Sequence, residues 1–325
     1  MIVIRKPWLP ASALALALCD CGVSWSQDKY PSKPIRIVVA LGPGAGADTL
    51  ARFLTGPLGR ELQTEIIVEN KAGAGGIIGG DYVAKAKPDG YTFLAASSSP
   101  MFLAPIVKKI DYKTDDFMHV MVYGKTANCL VVRADAKWKN VKEFVEEEKS
   151  SPGKLKVSTY GKQTPGEFVM DLVSKYEGIK FTLIPYKSGA DALPPLLGGH
   201  VDAAIVAGTV GLLESGQIRL LAIASDKRLP PYPGIPTFEE LGYPIIPPAG
   251  RYWYCFPKGT PKAIVDKFSA AQEMAVKRYA KEITANLKKI EMWAEFLNRE
   301  ESLIRLKKDA DMYLKVVNEL GVVGK

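Results

Sequence analysis

The chain has 325 residues, of which 47% are hydrophobic, and its formal net charge is +8 at pH 7. This length and apolar content suffice for two domains with hydrophobic cores, and they exclude a disordered, coiled-coil or collagen-like chain. The basic residues form no long block with interleaved aromatic residues, so nucleic acid is not a predicted partner. The two histidines have no second ligand near them, which argues against a zinc site and against histidine-based catalysis.

The first 26 residues have the pattern of a secretory signal peptide. A short basic segment precedes an apolar run at residues 11–18, which is too short to cross a bilayer, and Ser24-Trp25-Ser26 is a small-x-small cleavage site. We therefore expect export to the periplasm. A lipoprotein anchor at Cys19 or Cys21 is disfavoured, because neither follows the small residue that lipidation needs. No later apolar run is long enough for a membrane span.

Strand-like and helix-like runs alternate in the next part of the chain. The strand-like runs are residues 35–41, 65–69 and 91–96, and the helical runs are 48–62 and 76–85. Pro57 interrupts the first helical run, so we expect a kink or a break near Gly56. The alternation predicts a parallel, doubly wound sheet with helices on its faces.

A second series of alternating runs begins near residue 129. Its strand-like runs are 130–132, 156–159, 181–184, 201–206 and 220–224, and its helical runs are 141–149, 167–176 and 191–197. A proline-rich stretch then leads to one more strand at 252–256. Pro261 opens a helical tail, which we expect to pack on the first domain. The chain therefore crosses between domains near 124–130 and 250–256, and two crossings predict a hinge with a cleft between two lobes.

Two glycine-rich turns each follow a strand-like run and precede a helical one. Backbone N–H groups at such turns, together with the positive end of a helix, form a binding site for an anion such as a carboxylate. A single turn of this kind has a purely structural interpretation, but the pair favours ligand binding. The candidate contacts are Gly42, Pro43, Gly44, Ala45 and Gly46 in the first turn, and Ala72, Gly73, Ala74 and Gly75 in the second.

Nothing in the chain indicates a catalytic centre. Residues 42–46 are similar to a dinucleotide-binding turn, with Glu69 at the spacing of a ribose acceptor, but the third glycine is missing and Pro43 removes an amide donor. No Ser-His-Asp or Cys-His set is predicted. Cys129 and Cys255 define no disulfide framework, so a bond between them and two separate thiols both stay open. We expect a binding protein without cofactor or metal, and a nucleotide-dependent enzyme is the weaker alternative.

Seven motifs, in order and at matching spacing, resemble one protein family. They are YPSKPIR (30–36), ENKAGAGG (69–76), KPDGYT (87–92), SPGKL (151–155), PYKSG (185–189), LLGGHVD (196–202) and GTP (259–261). From about residue 29 to its end, the chain resembles the Bug-type extracytoplasmic solute receptors, the TctC-like binding proteins of tripartite tricarboxylate transporters.

The resemblance implies a periplasmic, monomeric receptor for a small organic acid, with integral membrane transporter subunits as partners. It implies an α/β fold of two doubly wound lobes joined by a two-strand hinge, like type II periplasmic binding proteins. We assign residues 27–124 and 256–325 to lobe 1 and residues 125–255 to lobe 2. Family members hold one carboxylate on the two glycine turns of lobe 1, partly through water, while lobe 2 closes over the ligand and sets selectivity. A ligand-sensing partner of a membrane signalling protein would share this pocket and is the alternative.

The chain departs from the family in ways that bear on the ligand. Many members have Gly-Thr-Gly-Ser and a His pair where this chain has residues 161–167, an Asp-Asn pair where it has Ala207-Gly208-Thr209, and a Trp in place of Arg251. The missing Asp removes a partner for a ligand amine, while Lys162 and Arg251 are possible partners for a second carboxylate. We therefore expect an acid without a free amine, either a dicarboxylate or an aromatic carboxylate stacked on Tyr160 or Tyr252.

Other candidate contacts lie near the ends of strand-like runs. They are Ser97, Ser98, Tyr160, Gln163, Thr164, Tyr186, Ala207 and Thr209. Helix capping is an alternative role for the two serines. Asp48 is also a candidate, although a first-turn helix carboxylate is the stronger interpretation. Arg251 has an alternative role in a structural ion pair near the hinge.

Overall fold

The computed structural model describes residues 30–289 and 292–323. The predicted signal peptide, residues 1–26, lies outside the described residues. Across the two described ranges, no helix combines the length and the apolar character that a membrane span requires.

The predicted helices and strands are present in the predicted order. The first series contains β1 (Ile35–Val39), α1 (Gly46–Leu62), β2 (Ile66–Asn70), α2 (Ile77–Ala84), β3 (Thr92–Ser97), α3 (Ala104–Val107) and β4 (Phe117–Thr126). The second contains β5 (Asn128–Arg133), α4 (Val141–Ser150), β6 (Lys156–Thr159), α5 (Pro165–Glu177), β7 (Thr182–Pro185), α6 (Gly189–Leu197), β8 (Ala203–Val206), α7 (Val210–Glu214) and β9 (Ile218–Ala224). The chain continues through β10 (Gly250–Pro257), α8 (Lys262–Lys289) and α9 (Arg299–Leu320). Of these, β4, α3 and α7 are additional elements that were not predicted.

The strands form two five-stranded sheets, and both sheets are mixed rather than wholly parallel. The first sheet has the order β2-β1-β3-β10-β4, in which β1 is parallel to β2 and β3 while β10 is antiparallel to β3 and β4. The second has the order β7-β6-β8-β5-β9, in which β6 is parallel to β7 and β8 while β5 is antiparallel to β8 and β9. The predicted α/β class is confirmed. The antiparallel strands β10 and β5 are those next to the crossings between the sheets.

The two crossings lie side by side. Only Ala127 separates the end of β4 from the start of β5, and on the return path Gly250 of β10 pairs with Thr126 of β4. The predicted second lobe boundary lies between residues 255 and 256, and β10 pairs within the first sheet along its whole length. The proline-rich stretch before β10 carries the chain from the second sheet back to the first.

Helices cover both faces of the first sheet. Leu50, Leu54 and Leu58 of α1 pack with Phe268 of α8 on one face, and Tyr313 of α9 belongs to the core on the other face. The expectation that the tail packs on the first domain is therefore correct. Helix α9 also contacts α5, so the tail joins the two lobes.

Helix α1 runs without a break through Pro57, so the expected interruption near Gly56 is wrong. Proline removes one backbone hydrogen bond from a helix interior. Leu54 and Leu58, on either side, are fully buried, and each contributes about 1.5–3 kcal/mol through removal of its side chain from water. Packing of this face offsets the lost bond.

Strand β4 is an element that the sequence analysis missed. It lies at the edge of the first sheet, and residues 292–298, here named the connecting segment, cover that edge. Lys125 and Trp293 exchange two backbone hydrogen bonds of 2.9 Å, and the amide of Leu297 donates to the carbonyl of Val122. The run of large apolar residues at 117–123 was the available signal for this strand.

A partly buried histidine on β4, His119, predicts a pH dependence of stability. Trp253 Nε1 donates to His119 Nδ1 over 2.9 Å, and burial lowers the pKa of His119 to about 4, although Thr114 and Asp115 act in the opposite direction. An unfolded histidine titrates near pH 6.5, so between these values the folded protein binds fewer protons than the unfolded chain. The free energy of unfolding should therefore fall as the pH falls from about 6.5 to 4, by at most about 1.4 kcal/mol per pH unit from this group.

Urea unfolding at pH 4.5 and pH 7 measures this effect. His119→Gln should show a smaller pH dependence than the unchanged protein, while His200→Gln, at an exposed position, should keep the original one. Equal pH dependence in His119→Gln and the unchanged protein would contradict the prediction.

Candidate functional site

The predicted site residues, Asp48 and Arg251 aside, gather at the carboxyl ends of the parallel strands of both sheets. In the first sheet, residues 42–46 follow β1, residues 72–76 follow β2, and Ser97 and Ser98 lie at the end of β3. In the second, residues 160–164 follow β6, Tyr186 follows β7, and residues 207–209 follow β8. Ligands of open α/β sheets bind at these ends.

Two tyrosines show that the two groups of loops face each other. A Cβ atom placed on Gly46 would lie 3.3 Å from the hydroxyl oxygen of Tyr252, so this phenol lies against the first glycine turn. Burial raises the pKa of Tyr252, and the neighbouring phenol of Tyr160, from the second lobe, raises it further. Both tyrosines are nevertheless partly exposed. They mark the side on which the loops of the two lobes approach each other.

Asp48 fixes the geometry of the first turn. Its carboxylate accepts the Gly44 amide over 2.9 Å and the Asn70 side-chain amide over 2.8 Å, and it pairs with Arg52 over 2.9 Å. Burial alone would raise the pKa of Asp48, but the bonds from Arg52, Gly44 and Asn70 hold it below its usual range. Asp48 is only 3% exposed, so the structure favours its role as a first-turn helix carboxylate over direct ligand contact. Because Asn70 precedes the second turn, the same bonds tie the two turns together.

Both turns carry backbone amides without a protein acceptor. Gly46 and Ala47 occupy the first two positions of α1, and Ala74 and Gly75 lie in the second turn. Within residues 30–289 and 292–323, none of these four amides donates to a protein group. Unsatisfied donors at the start of a helix are available to an anion.

The backbone of the second turn is strained. Four consecutive residues have positive φ angles: Gly73 at 145°, Ala74 at 49°, Gly75 at 71° and Gly76 at 100°. For the non-glycine Ala74 this conformation carries a cost, and such strain clusters at functional sites. Successive backbone N–H groups in tight turns are a known geometry for anion binding. This supports the prediction of a carboxylate site at the turn.

The second-lobe loop combines structural groups with one unpaired cation. The Gly166 amide donates to the Tyr160 hydroxyl over 3.1 Å, and burial raises the pKa of Tyr160 to about 12, so the phenol stays neutral. Thr164 caps α5 and donates to the carbonyl of Gly161, while Gln163 adopts a left-handed conformation with φ of 54°. Lys162 is exposed, and among the described residues it has no hydrogen-bond or ion-pair partner.

Arg251 is fully buried and does not face the cleft as a ligand partner. Its guanidinium pairs with Glu295 at 2.5 Å, Asp309 at 2.6 Å and Asp226 at 3.4 Å. The structure therefore favours the alternative role, a structural ion pair near the hinge, because a buried charge must be paired. Ser98 is also structural, since its hydroxyl accepts the Arg251 amide over 2.9 Å.

The remaining candidates differ in exposure. Ser97, Tyr186 and Ala207 are partly exposed at the cleft side of their sheets, whereas Thr209 is buried at the start of α7. Sequence reasoning missed Met292, which packs over Gly46 from the connecting segment. Met292 is distant in sequence from the turn and follows a long helix, so no local pattern marks it.

No metal or disulfide chemistry is evident in the part of the chain that the structure describes. No group of three or more His, Cys, Asp or Glu side chains there is arranged to hold a metal ion. Cys129 and Cys255 are buried thiols that form no disulfide, which resolves the open question about their pairing. Burial raises the pKa of the Cys255 thiol well above its usual range, so the thiol stays protonated.

Comparison with known proteins gives one consistent family. The sequence profile of the tripartite tricarboxylate transporter family receptor matches residues 50–311. Protein BugT of Bordetella pertussis is 35% identical over 263 residues, which cover 79% of this chain and 81% of BugT. The structure of Rpa4515 from R. palustris with adipate has a TM-score of 0.77 at 26% identity, covering 91% of this chain and 99% of that one. MatC from Rhodopseudomonas palustris with bound malate has a TM-score of 0.74 at 25% identity, covering 89% and 100%. The chain belongs to the TctC family of solute-binding receptors.

Proposed function

We propose that this protein is a periplasmic receptor that holds a small dicarboxylic acid between its lobes and delivers it to membrane transporter subunits. The observation that carries the proposal is the pair of glycine turns, tied together by Asp48 and Asn70, with four unpaired amides. A hydrogen bond to a charged group contributes about 1.5–3 kcal/mol, and a helix N-terminus adds about 0.3–1 kcal/mol. Three or four such donors would offset the desolvation of one carboxylate without help from an arginine.

The similar structures support a dicarboxylate over an aromatic acid. Adipate and malate, the ligands named with Rpa4515 and MatC, each carry two carboxylates and no amine. In this chain, Lys162 is the unpaired cation in the second-lobe loop and suits a second carboxylate. Residues 207–209 offer no carboxylate for a ligand amine. Arg251 is not part of the proposal, because its charge is already neutralised.

Calorimetry with matched acids tests the function. We expect four- to six-carbon dicarboxylates to bind and the corresponding amino acids to bind more weakly or not at all. A ligand at 100 times its Kd should stabilise the folded protein by about 2.7 kcal/mol, which a thermal shift detects. The ligand should be recovered unchanged, as expected for a receptor. Tight binding of an amino acid alone, or turnover of the acid, would contradict the proposal.

Lys162→Gln should weaken dicarboxylate binding about tenfold and leave binding of the matching monocarboxylate unchanged. The reason is the loss of one charge-assisted bond of about 1.5 kcal/mol, which only the second carboxylate makes. Lys180→Gln is the control, because Lys180 is also exposed but precedes β7, at the opposite end of the strand from the cleft. Equal losses for the two acids, or for the two variants, would show that Lys162 does not contact the ligand.

A further inference from the structure

Six charged side chains meet where the chain crosses between the lobes, and we name them the hinge cluster. Its members are Lys125, Asp226, Arg251, Glu295, Arg305 and Asp309. Three are cations and three are anions, so the cluster is neutral when all are ionised. This balance allows Arg251 to be fully buried at its centre.

The cluster links β4, β10, the connecting segment and α9 to the segment that follows β9. Lys125 lies near the end of β4 and Arg251 near the start of β10, the two strands at the crossings. Glu295 comes from the connecting segment, and Arg305 and Asp309 from α9. Asp226 follows β9 by two residues and is the cluster's member from the second lobe.

Asp226 is held from the first-lobe side by two arginines. One carboxylate oxygen contacts Arg305, and the other lies 3.4 Å from Arg251. Burial would raise the pKa of Asp226, but Arg305 chiefly, with Arg251 and Lys125, holds it at about 2. The carboxyl group is therefore ionised at any ordinary pH. Ion pairs that are partly buried are screened less by salt than exposed ones.

The cluster also reaches the first glycine turn. Glu295 pairs with both Lys125 and Arg251, which fixes the connecting segment against β4. The same segment places Met292 over Gly46, at the start of α1. A chain of contacts therefore runs from Asp226 of the second lobe through Arg251 to Glu295, and through the connecting segment and Met292 to the turn that presents unpaired amides.

We propose that the hinge cluster is a latch, in which Asp226 holds the second lobe in the arrangement seen here and thereby raises ligand affinity. This inference rests on the proposed function only for its effect on affinity. The effect on lobe arrangement requires no ligand. Asp226 and Arg305 act here as positioning residues, because neither lies among the loops that line the cleft.

The test measures the distance between the lobes with and without a carboxylate. Spin labels at Lys281→Cys on α8 and Lys180→Cys in the second lobe report the distance, and the native cysteines are buried. In the absence of ligand, we expect Asp226→Asn to give a broader and longer distance distribution than the unchanged protein. Saturating adipate should restore the short distance. The affinity for adipate should fall about tenfold, because an ion-pair hydrogen bond across the lobes is lost.

The control is Glu240→Gln, which breaks an exposed pair with Arg228 inside the second lobe. Glu240→Gln should change neither the distance between the labels nor the affinity for adipate. Asp226→Glu should keep most of the affinity and a distance distribution close to that of the unchanged protein. If Asp226→Asn does not fold, Arg305→Gln replaces it in the test. Arg305→Gln breaks the same Asp226–Arg305 pair by removing the cation, and the same changes in distance and affinity are expected. An unchanged ligand-free distance distribution in the folded variants would overturn the latch. Failure of every acid to bind, with the distances altered, would overturn the proposed function and leave the latch standing.

Discussion

Gly75→Leu is expected to weaken carboxylate binding by at least about 100-fold, whereas Gly178→Leu is expected to leave binding intact. Gly75 lies in the second glycine turn with φ of 71° and ψ of 25°, and a Cβ atom there meets no atom within 4 Å. We expect the leucine side chain to extend into the open space beside the unpaired amides and to exclude a carboxylate from them. Loss of two hydrogen bonds to a charged group, at about 1.5 kcal/mol each, corresponds to about 100-fold in Kd.

Gly178 is a matched control for backbone strain. It ends helix α5 with φ of 65° and ψ of 32°, and its Cβ position is equally open. A left-handed leucine costs about 1–2 kcal/mol in either place, so both variants should lose similar thermal stability. Calorimetry with adipate, together with the melting temperatures, separates strain from loss of the site. Retained binding by folded Gly75→Leu would show that the second turn does not hold the carboxylate.

The parts of the fold that the sequence predicted are those whose signals are local. A β-strand, a glycine turn and a helix follow one another within about 30 residues, so β1 with α1 and β2 with α2 could be located from hydrophobic periodicity and turn chemistry. Right-handed crossovers between parallel strands place both turns at the same edge of the sheet. The strand at 252–256 was also predicted, but its place between β3 and β4, antiparallel to both, depends on pairing between distant segments, which no local pattern specifies.

Arg251 shows why the site was harder to predict than the fold. An arginine near a hinge indicates a nearby anion. From the sequence, that anion was either a carboxylate of the ligand or a carboxylate of the protein. Its protein partners Glu295 and Asp309 lie 44 and 58 residues further along the chain. Only the packing of the connecting segment and α9 brings them together. The residue type at position 251 therefore predicted a buried or bound anion beside it, but not which carboxylate that anion belongs to.

Arg251→Met is expected to lower the free energy of unfolding by about 3–5 kcal/mol. Arg251 is 0% exposed and is the centre of the hinge cluster. Its removal would leave the buried Asp309 and the partly buried Glu295 with only Lys125 and Arg305 to neutralise them. Methionine has a similar apolar length, so the loss would report the uncompensated charge rather than a cavity.

Urea unfolding of three variants tests this interpretation. Arg251→Lys keeps the positive charge but lacks the planar guanidinium that reaches several carboxylates at once, so its loss should fall between those of the unchanged protein and Arg251→Met. Arg36→Met removes the half-exposed pair with Glu69, at 3.2 Å, and should cost less than about 1 kcal/mol. A loss for Arg251→Met as small as that for Arg36→Met would mean that water reaches the three carboxylates, and the buried cluster could not then act as a latch. A large loss that Arg251→Lys partly restores would instead establish that charge, held in this geometry, stabilises the hinge.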